Sequence, residues 1–277
     1  MDSISVLMCV YDQDDDQNFI EAINSLKRNT FFIDQTIIVI NGYISEIKSK
    51  KINENLKNLK INRIDLPINI GLSRALNLGL QKVESKWIAR FDSDDICHPD
   101  RFKIMKEIIK TQGKDFDVFG TYIEEFNLLD RTNNLRKVPL SNNEIKKRIL
   151  FSNPLNHVSV FFRKSLIEES KDEDFYPLID GFEDYALWIK LINKNAKITN
   201  IPKVTVFVRA DEKMLSRRGG LNYIIREIKF RLFALNYIPI NQYPANFIFC
   251  ILRILTFISP IFLKKILYKI KRSYFEE

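Results

Sequence analysis

The stretch WIARFDSDD, residues 87–95, decides the fold of this chain. Its first half, residues 87–91, is a mainly apolar run without a turn residue and predicts a short buried strand. Its second half places three carboxylates, those of Asp92, Asp94 and Asp95, at the point where that strand should end. Ligands of open α/β sheets bind at the carboxyl ends of the strands. The stretch therefore predicts an α/β sheet with a binding site at this edge.

The acidic turn has two possible interpretations. Crowding like charges raises the free-energy cost of ionising each carboxyl group unless a cation is present. Hard oxygen ligands on a tight turn suit Mg²⁺ or Mn²⁺, which in turn can hold a substrate diphosphate. Alternatively, the turn is a solvated acidic loop before a helix that begins near Arg101, with Asp100 as its cap. The three carboxylates by themselves leave both interpretations open.

Strands and helices alternate on both sides of this stretch, which predicts a mainly parallel sheet of right-handed βαβ units with helices on both faces. The alternation is regular up to residue 115 and looser after it. Predicted strands cover residues 4–11, 36–40, 61–66, 117–124, 158–162 and 198–208. Predicted helices cover residues 18–28, 44–59, 73–83 (with Ser73 as N-cap), 141–150 and 184–192.

Composition favours one large α/β domain, since 45% of the 277 residues are hydrophobic. The three cysteines are odd in number, widely spaced and free of any CxxC pair. Neither a disulfide framework nor a thiolate metal site is supported, and we expect a reducing, intracellular location. No basic leader precedes the first apolar strand, so no secretory signal is expected.

The net charge of +8 is concentrated at the C-terminal end. From Lys213 onward there are twelve Lys and Arg residues against three acids, whereas the first 212 residues are close to neutral. This asymmetry indicates a polyanionic partner, either nucleic acid or an anionic membrane surface. The basic residues alternate with Ile, Leu and Phe, and aromatic stacking platforms are absent, which argues against nucleic acid.

The last segment predicts association with a membrane surface. Residues 245–263 are mostly apolar but contain Arg253, and a charge near the centre of a spanning helix costs about 2.5–3.5 kcal/mol. The basic residues that follow give an in-plane amphipathic pattern: Lys264, Lys265, Lys269, Lys271 and Arg272. We expect a domain at residues 1–240 and a basic amphipathic tail at 241–277 that lies on the cytoplasmic membrane surface. A core helix with a basic solvent face is the alternative.

Further polar residues follow the other predicted parallel strands. Tyr11 and Asn41 end the first two strands, and Asn69 and Gly71 lie in the loop after the third. Gly71 permits close approach of a ligand to the backbone, and the side-chain amide of Asn69 or Asn77 can form hydrogen bonds with a base or ribose. The sequence therefore predicts a nucleotide at this edge.

Seven motifs in order resemble family 2 glycosyltransferases, in particular the branch that builds bacterial O-antigen and capsule repeat units on a lipid carrier. The resemblance covers roughly residues 4–235. The motifs lie at residues 5–11, 38–42, 69–79, 89–95, 153–157 (Asn-Pro-x-Asn-His), 182–188 (Phe-Glu-Asp-Tyr-x-Leu-Trp) and 216–220 (Ser-Arg-Arg-Gly-Gly).

The resemblance implies a GT-A fold, a nucleotide-diphosphate sugar donor, a divalent metal and inversion at the anomeric carbon. Asp94 would ligate Mn²⁺ or Mg²⁺ directly, and Asp92 would bind ribose or a metal-bound water. The leading expectation is a UDP-hexose, glucose or galactose, added by a β-1,3 linkage to a HexNAc on undecaprenyl diphosphate at the cytoplasmic face of the bacterial inner membrane. One departure is Asn41, because the family often has Asp there.

Glu183 and Asp184 form a second acidic site. Acids are common at helix starts, where they favour the macrodipole, so a capping role is the alternative. Inverting transfer needs one carboxylate to take the proton of the acceptor hydroxyl. The resemblance nominates this pair, with Asp184 as the base and Glu183 orienting it or binding the acceptor. It also implies an acceptor-side role for His157, although a lone histidine is more often a structural hydrogen-bonding residue.

Three arginines precede the Gly219-Gly220 hinge: Arg209, Arg217 and Arg218. Their guanidinium groups suit a diphosphate under a closing loop, or else lipid headgroups at a basic surface loop. Two other functions compete with glycosyl transfer. A nucleotidyltransferase acting on sugar phosphates would need a glycine-rich basic loop after the first strand, where this chain has the acidic residues 12–16. The other is a non-catalytic nucleic-acid-binding protein.

Overall fold

The computed structural model describes residues 2–56, 60–127, 132–170, 174–210 and 220–260. Within these residues, nine strands form one sheet in the order β3-β2-β1-β4-β8-β6-β9-β5, and β7 pairs with β6 beside this path. The strands are β1 Ile4–Val10, β2 Gln35–Asn41, β3 Ile61–Leu66, β4 Trp87–Arg90, β5 Ile96–Cys97, β6 Val118–Asn127, β7 Thr132–Arg136, β8 Phe161–Arg163 and β9 Ile198–Arg209.

Helices cover both faces of this sheet, as predicted. They are α1 Asp16–Lys27, α2 Glu46–Leu56, α3 Leu72–Leu80, α4 Arg101–Gln112, α5 Asn142–Arg148, α6 Ser165–Glu168, α7 Glu183–Asn193, α8 Leu221–Ala234 and α9 Tyr243–Ile258. Alternate residues of β1 enter different cores. Leu7 joins the core formed with α3 and α7, and Met8 joins the core formed with α1 and α4. A strand buried on both faces explains why β1 is a continuous apolar run.

The first half of the sheet is parallel throughout. β1 pairs in parallel with β2 and with β4, and β2 pairs in parallel with β3. The carboxyl ends of these four strands therefore lie at one edge of the sheet. This half confirms the βαβ units that the alternating pattern predicts.

The second half is mixed. β8 is antiparallel to β4 and β6, β6 is parallel to β9, and β5 is antiparallel to β9. The strand predicted over 158–162 is wrong in its first part, because His157–Ser159 forms a 3₁₀ turn and β8 begins at Phe161. The Ser159 hydroxyl accepts the N–H of Thr121 at 3.0 Å and donates to the carbonyl of Asn156 at 2.8 Å. The Ser159 side chain thus replaces a backbone partner in hydrogen bonds that a regular strand would otherwise form.

The predicted cap Ser73 is wrong, and Asp100, the cap named in the alternative interpretation of the acidic turn, occupies the N-cap position without a side-chain capping bond. Helix α3 begins at Leu72 after Gly71, whose φ of 87° favours glycine, so Ser73 lies inside the first turn. The buried Ser73 hydroxyl has no hydrogen-bond partner among the described residues. Helix α4 begins at Arg101 as predicted, but the Asp100 side chain makes no capping bond. The backbone of Asp100 (φ −101°, ψ 10°) is outside the extended region that a side-chain cap normally uses.

Helices α8 and α9 pack against each other through buried polar side chains. Glu227 pairs with Arg231 at 2.8 Å and with Arg253 at 3.5 Å, and the Arg231 guanidinium donates to the Asn246 amide oxygen at 3.2 Å. The predicted boundary after residue 240 therefore falls between two helices in contact. No helix in the described part of the chain is long and apolar enough to cross a bilayer. The predicted basic cluster at 264–272 lies outside the described residues.

Candidate active site

The predicted strand-end residues meet at the parallel edge of the sheet. Tyr11 follows β1, Asn41 ends β2, Asn69 lies after β3 and Asp92 lies after β4. Because these four strands are parallel neighbours, their ends converge, as expected from the sequence. The loops after all four strands therefore contribute to one polar edge.

A buried lysine that was not predicted from the sequence holds the loop after β1. Lys48 is only 3% exposed, and its ammonium group donates to the carbonyl oxygens of Tyr11, Asp12 and Asp14 at 3.3, 2.7 and 2.6 Å. Lys48 lies four residues from Ile44 and from Ile52, so it continues the inward stripe of this segment. That spacing was the signal available in the sequence.

Asp14 links this loop to the acidic turn and was also missed. Its carboxylate accepts the backbone N–H of Tyr11 at 2.9 Å and the hydroxyl of Ser93 at 2.8 Å. Burial raises the pKa of Asp14. A fourth carboxylate therefore lies beside Asp92, Asp94 and Asp95, and no local sequence pattern indicates it.

Two asparagines shape the loop after β3. The Asn41 amide donates to the side-chain oxygen of Asn69 at 3.1 Å and accepts the N–H of Ile70 at 3.0 Å. The Asn69 oxygen also accepts the N–H of Gly71 at 2.9 Å. Because an ionised aspartate could not donate the first of these bonds, the structure explains why asparagine serves at position 41.

Asn77 has a structural role in the described chain. Its side chain forms two hydrogen bonds with the backbone of Tyr176, each 2.9 Å long. These bonds use one of the two amide N–H groups and one lone pair of the amide oxygen, so the contact of Asn77 with a base or ribose stays a prediction.

A buried arginine underlies the acidic turn. Arg90 is 2% exposed, and its guanidinium pairs with the Asp92 carboxylate and donates to the carbonyl of Leu7 at 3.3 Å. A second buried arginine, Arg101, donates to the carbonyl of Arg90 at 2.8 Å. Both lie where the sequence suggested only an apolar strand and a helix start. The positive charge of the buried Arg90 guanidinium is thus held beside the carboxylates of the turn.

Asp95 and the end of β9 close the turn from the other side. The buried Asp95 carboxylate accepts the backbone N–H of Arg209 at 3.0 Å, and the Arg209 side chain donates to the carbonyl of Asp94 at 2.7 Å. The Arg209 guanidinium also pairs with Glu21. Arg209 therefore supports the acidic turn, whereas Arg217 and Arg218 lie outside the described residues.

The carboxylates of the turn are difficult to ionise together. Burial raises the pKa of Asp94 to about 6, and the charges of Asp92 and Asp14 add to the effect. Burial also raises the pKa of Asp95 well above its usual range, with Asp92 and Asp94 contributing. Desolvation and the neighbouring carboxylates thus oppose ionisation, and a cation bound beside them would offset that cost.

The turn fits a divalent cation that is shared with a substrate. Among the described residues, no group of three or more His, Cys, Asp or Glu side chains could hold a metal ion. Mg²⁺ is commonly bound through one or two carboxylates, with water and substrate phosphates completing its shell. The hard oxygens of Asp92 and Asp94 suit that mode, and their crowding favours a positive charge.

The second acidic site lies at the start of α7, which begins at Glu183. One oxygen of the Asp184 carboxylate accepts the Asn153 amide at 2.6 Å, and the other accepts the N–H of Tyr185 at 2.7 Å. Burial, followed by the charge of Asp184, raises the pKa of Glu183 to about 7. The bond from Asn153 reaches across 31 residues, so helix capping alone does not account for this pair.

His157 is a buried residue that contacts Tyr176. Its Nε2 atom is 3.0 Å from the Tyr176 hydroxyl. Burial, reinforced by Arg90, lowers the pKa of His157 well below its usual range, so the imidazole is neutral. Arg90 also interacts electrostatically with Asp92, Tyr176 and Glu183. The structure therefore brings the strand-end cluster, His157 and the Glu183 site around one buried guanidinium.

Comparison with known families matches residues 5–170 to the family described as glycosyl transferase family 2. Among curated proteins, the chain is 32% identical over 246 residues to the UDP-Gal:alpha-D-GlcNAc-diphosphoundecaprenol beta-1,3-galactosyltransferase of Escherichia coli, covering 88% of both chains. It is 29% identical over 270 residues to the amylovoran biosynthesis glycosyltransferase AmsE of Erwinia amylovora, covering 97% of this chain and 99% of that protein.

Among solved structures, the chain resembles S. aureus TarS 1-349 in complex with UDP-GlcNAc, with a TM-score of 0.63 and 18% sequence identity. The match covers 88% of this chain and 69% of that one. At this identity the likeness concerns the fold, and it confirms the GT-A architecture expected from the sequence.

Proposed function

Since the chain belongs to glycosyl transferase family 2, we propose that it moves a hexose, glucose or galactose, from a UDP-hexose to a HexNAc on undecaprenyl diphosphate. The observation that carries the proposal is the placement of two acidic sites around Arg90, one at the strand ends and one at the start of α7. The name of the E. coli relative, a UDP-Gal-dependent enzyme with a diphosphoundecaprenol acceptor, supports the choice of substrates.

The strand-end edge is the donor side. Asp94 would hold Mn²⁺ or Mg²⁺ directly, and Asp92, braced by Arg90, would bind ribose or a metal-bound water. When bound, the ion would offset the negative charge that develops on the departing diphosphate. Tyr11, Asn41, Asn69 and Gly71 would shape the nucleotide pocket, and Arg217 and Arg218 would contact the donor phosphates.

The start of α7 is the acceptor side. The Asn153 amide and the Tyr185 N–H hold the Asp184 carboxylate in a fixed orientation. Asp184 would take the proton of the acceptor hydroxyl while the oxygen of that hydroxyl attacks the anomeric carbon. The attack comes from the side opposite the leaving UDP and therefore inverts the configuration at that carbon. Glu183 and the neutral His157 would position the acceptor sugar, and the product would be a β-1,3-linked disaccharide.

The proposed role is one step in building an O-antigen or capsule repeat unit at the cytoplasmic face of the bacterial inner membrane. The amylovoran and O-antigen biosynthesis enzymes among the relatives support this assignment. In this scheme the residues 241–277 act as a peripheral, basic membrane-associating tail. The partners are thus a UDP-sugar, a lipid-linked acceptor and the membrane surface.

The test is a transfer assay with UDP-glucose, UDP-galactose and UDP-GlcNAc against GlcNAc-diphosphate-lipid, with Mn²⁺, Mg²⁺ or EDTA. We expect one UDP-hexose to be used, EDTA to abolish transfer and added metal to restore it. NMR of the product should show the β configuration. Retention of configuration would contradict the inverting mechanism, and undiminished transfer in EDTA would contradict the metal role.

A further inference from the structure

Helix α8 exposes an apolar stripe to solvent. Leu221, Ile225, Ile228 and Leu232 are 72, 43, 39 and 60% exposed. Their spacing of four, three and four residues places them on one side of the helix. The opposite side of α8 packs against the protein, where Phe230 stacks on Phe182 with ring centroids 5.1 Å apart. The exposed stripe therefore does not belong to the side of α8 that packs in the core.

Helix α9 exposes a second apolar stripe. Its members share helical spacing and are 44–68% exposed: Phe247, Ile248, Ile251, Leu252, Leu255 and Ile258. Asn246, Cys250 and Phe257 point the other way and are buried. Exposed apolar stripes of this kind mark an interaction site in a folded protein. Because the helices that carry them pack against each other through Glu227 and Arg253, we call the two stripes together the α8–α9 face.

The α8–α9 face is cationic at its margins. Glu227 is the only acid among residues 220–260, and it is buried against Arg231 and Arg253. Arg226 and Lys229, in contrast, are exposed on α8 between members of its stripe. The face thus combines exposed aliphatic side chains with positive charge and presents no exposed carboxylate. These are the requirements for binding at the surface of an anionic bilayer.

We propose that the α8–α9 face inserts into the headgroup region of an anionic bilayer and sets the orientation of the active site. Arg226 reaches the acceptor side, because its guanidinium lies 3.7 Å from the position that a Cβ on Gly181 would occupy. Gly181 is two residues before Glu183. The significance of this orientation for catalysis rests on the proposed lipid-linked acceptor, whereas the membrane binding itself does not.

Charge distinguishes the bilayer from a second copy of the chain as the occupant. Pairing two copies through this face would bring Arg226 and Lys229 of each copy toward those of the other, and residues 220–260 offer no exposed acid to compensate. The sequence also contains five basic residues between positions 264 and 272, and these add positive charge near the C-terminal end. Both observations favour an anionic surface.

The experiment measures co-sedimentation of the full chain with vesicles of phosphatidylethanolamine and phosphatidylglycerol, without donor or acceptor. The test variant carries Ile225→Gln, Ile228→Gln, Leu252→Gln and Leu255→Gln. The matched control carries Phe31→Gln and Leu135→Gln, two exposed apolar residues elsewhere. We expect the test variant to bind at least about tenfold less tightly and the control to bind as the unmodified chain does.

Three results would overturn the proposal. One is equal vesicle binding by the test variant. Another is a dimer in solution that the test variant converts to monomer, which would assign the face to a second copy. The third is complete loss of binding on truncation after Pro260, which would assign membrane contact to residues 261–277 alone. Transfer to a water-soluble acceptor should be unchanged in the test variant, so a failure of the proposed enzyme function is recognised separately.

Discussion

The two acidic sites share Arg90 as a neighbour but differ in what surrounds their carboxylates. The strand-end cluster contains Asp92, Asp94 and Asp95, and Asp14 is joined to it through Ser93. The α7 pair has two carboxylates, one of which is held by an amide and a backbone N–H. In the strand-end cluster, burial and neighbouring carboxylates raise the pKa values of Asp94 and Asp95, so a bound cation would be favoured there. At α7, donors from Asn153 and Tyr185 fix one carboxylate, which suits the proposed base. The comparison teaches that the groups around a carboxylate, rather than the acid alone, set the chemistry that we propose for it.

The largest expected effect is at the strand-end cluster. Asp94→Asn should lower turnover at least about 10³-fold, because it removes the proposed direct metal ligand. Calorimetric titration with UDP should lose its dependence on Mn²⁺. The control is Asp100→Asn. Asp100 follows the acidic turn, and its side chain makes no capping bond. Equal Mn²⁺-dependent UDP binding by Asp94→Asn and the unmodified protein would show that the cluster is not the metal site.

The α7 pair should respond differently to loss of a charge. Asp184→Asn should keep UDP affinity but lower kcat by about 10²–10⁴-fold, the usual contribution of a positioned base. Glu183→Gln should cost less, because we assign Glu183 to acceptor positioning. Steady-state kinetics on both variants would decide this. Should Glu183→Gln be the more severely impaired variant, the roles within the pair are reversed.

A smaller effect is expected from the residue that orients the base. Asn153→Ala removes the 2.6 Å bond to Asp184, which should lower kcat about tenfold. It also removes the acceptor of the Leu155 N–H, so a modest loss of thermal stability is expected as well. Asn133→Ala, which removes a surface side-chain bond elsewhere, is a suitable control. An effect confined to KM for the donor would contradict the assignment of Asn153 to the acceptor side.

The smallest expected effect is on the pH profile. The pKa of Glu183 is raised to about 7 by burial and by Asp184, while Arg90 opposes the shift. As pH rises through 7, Glu183 loses its proton and the added negative charge makes Asp184 a stronger base. We therefore expect kcat to increase about threefold between pH 6 and 8, and Glu183→Gln to flatten this rise. A fall in kcat over that range would contradict the sign.

The parallel half of the sheet was predictable because its strands are buried on both faces. A strand such as β1 must be apolar at every position, and that leaves a clear local signal. The mixed half was less predictable, since β8 has three residues and its pairing depends on strands distant in sequence. Its start was misplaced because the Ser159 hydroxyl, not the backbone pattern, satisfies Thr121.

The candidate site was predictable in its acids and poorly predictable in its cations. An acidic turn after an apolar strand is visible in the sequence, and the motifs around it resemble a known family. Arg90 and Lys48 carry their charge into the interior, where backbone carbonyl oxygens accept hydrogen bonds from both and the Asp92 carboxylate pairs with Arg90. No local pattern reveals such partners, because they are assembled only by the fold. The same reasoning explains why the hydrogen bonds of Asn77 to the distant Tyr176 backbone were not predicted.

The three buried cysteines make the protein suitable for selective chemical labelling. Cys9, Cys97 and Cys250 are free and buried. Burial raises the pKa of Cys9 to about 12 and that of Cys97 to about 11, so their reactive thiolate forms are scarce at neutral pH. A maleimide should therefore react preferentially with a thiol introduced on the surface. An environment-sensitive dye at Ile251→Cys would then report the depth of α9 in a bilayer, without prior removal of the native cysteines.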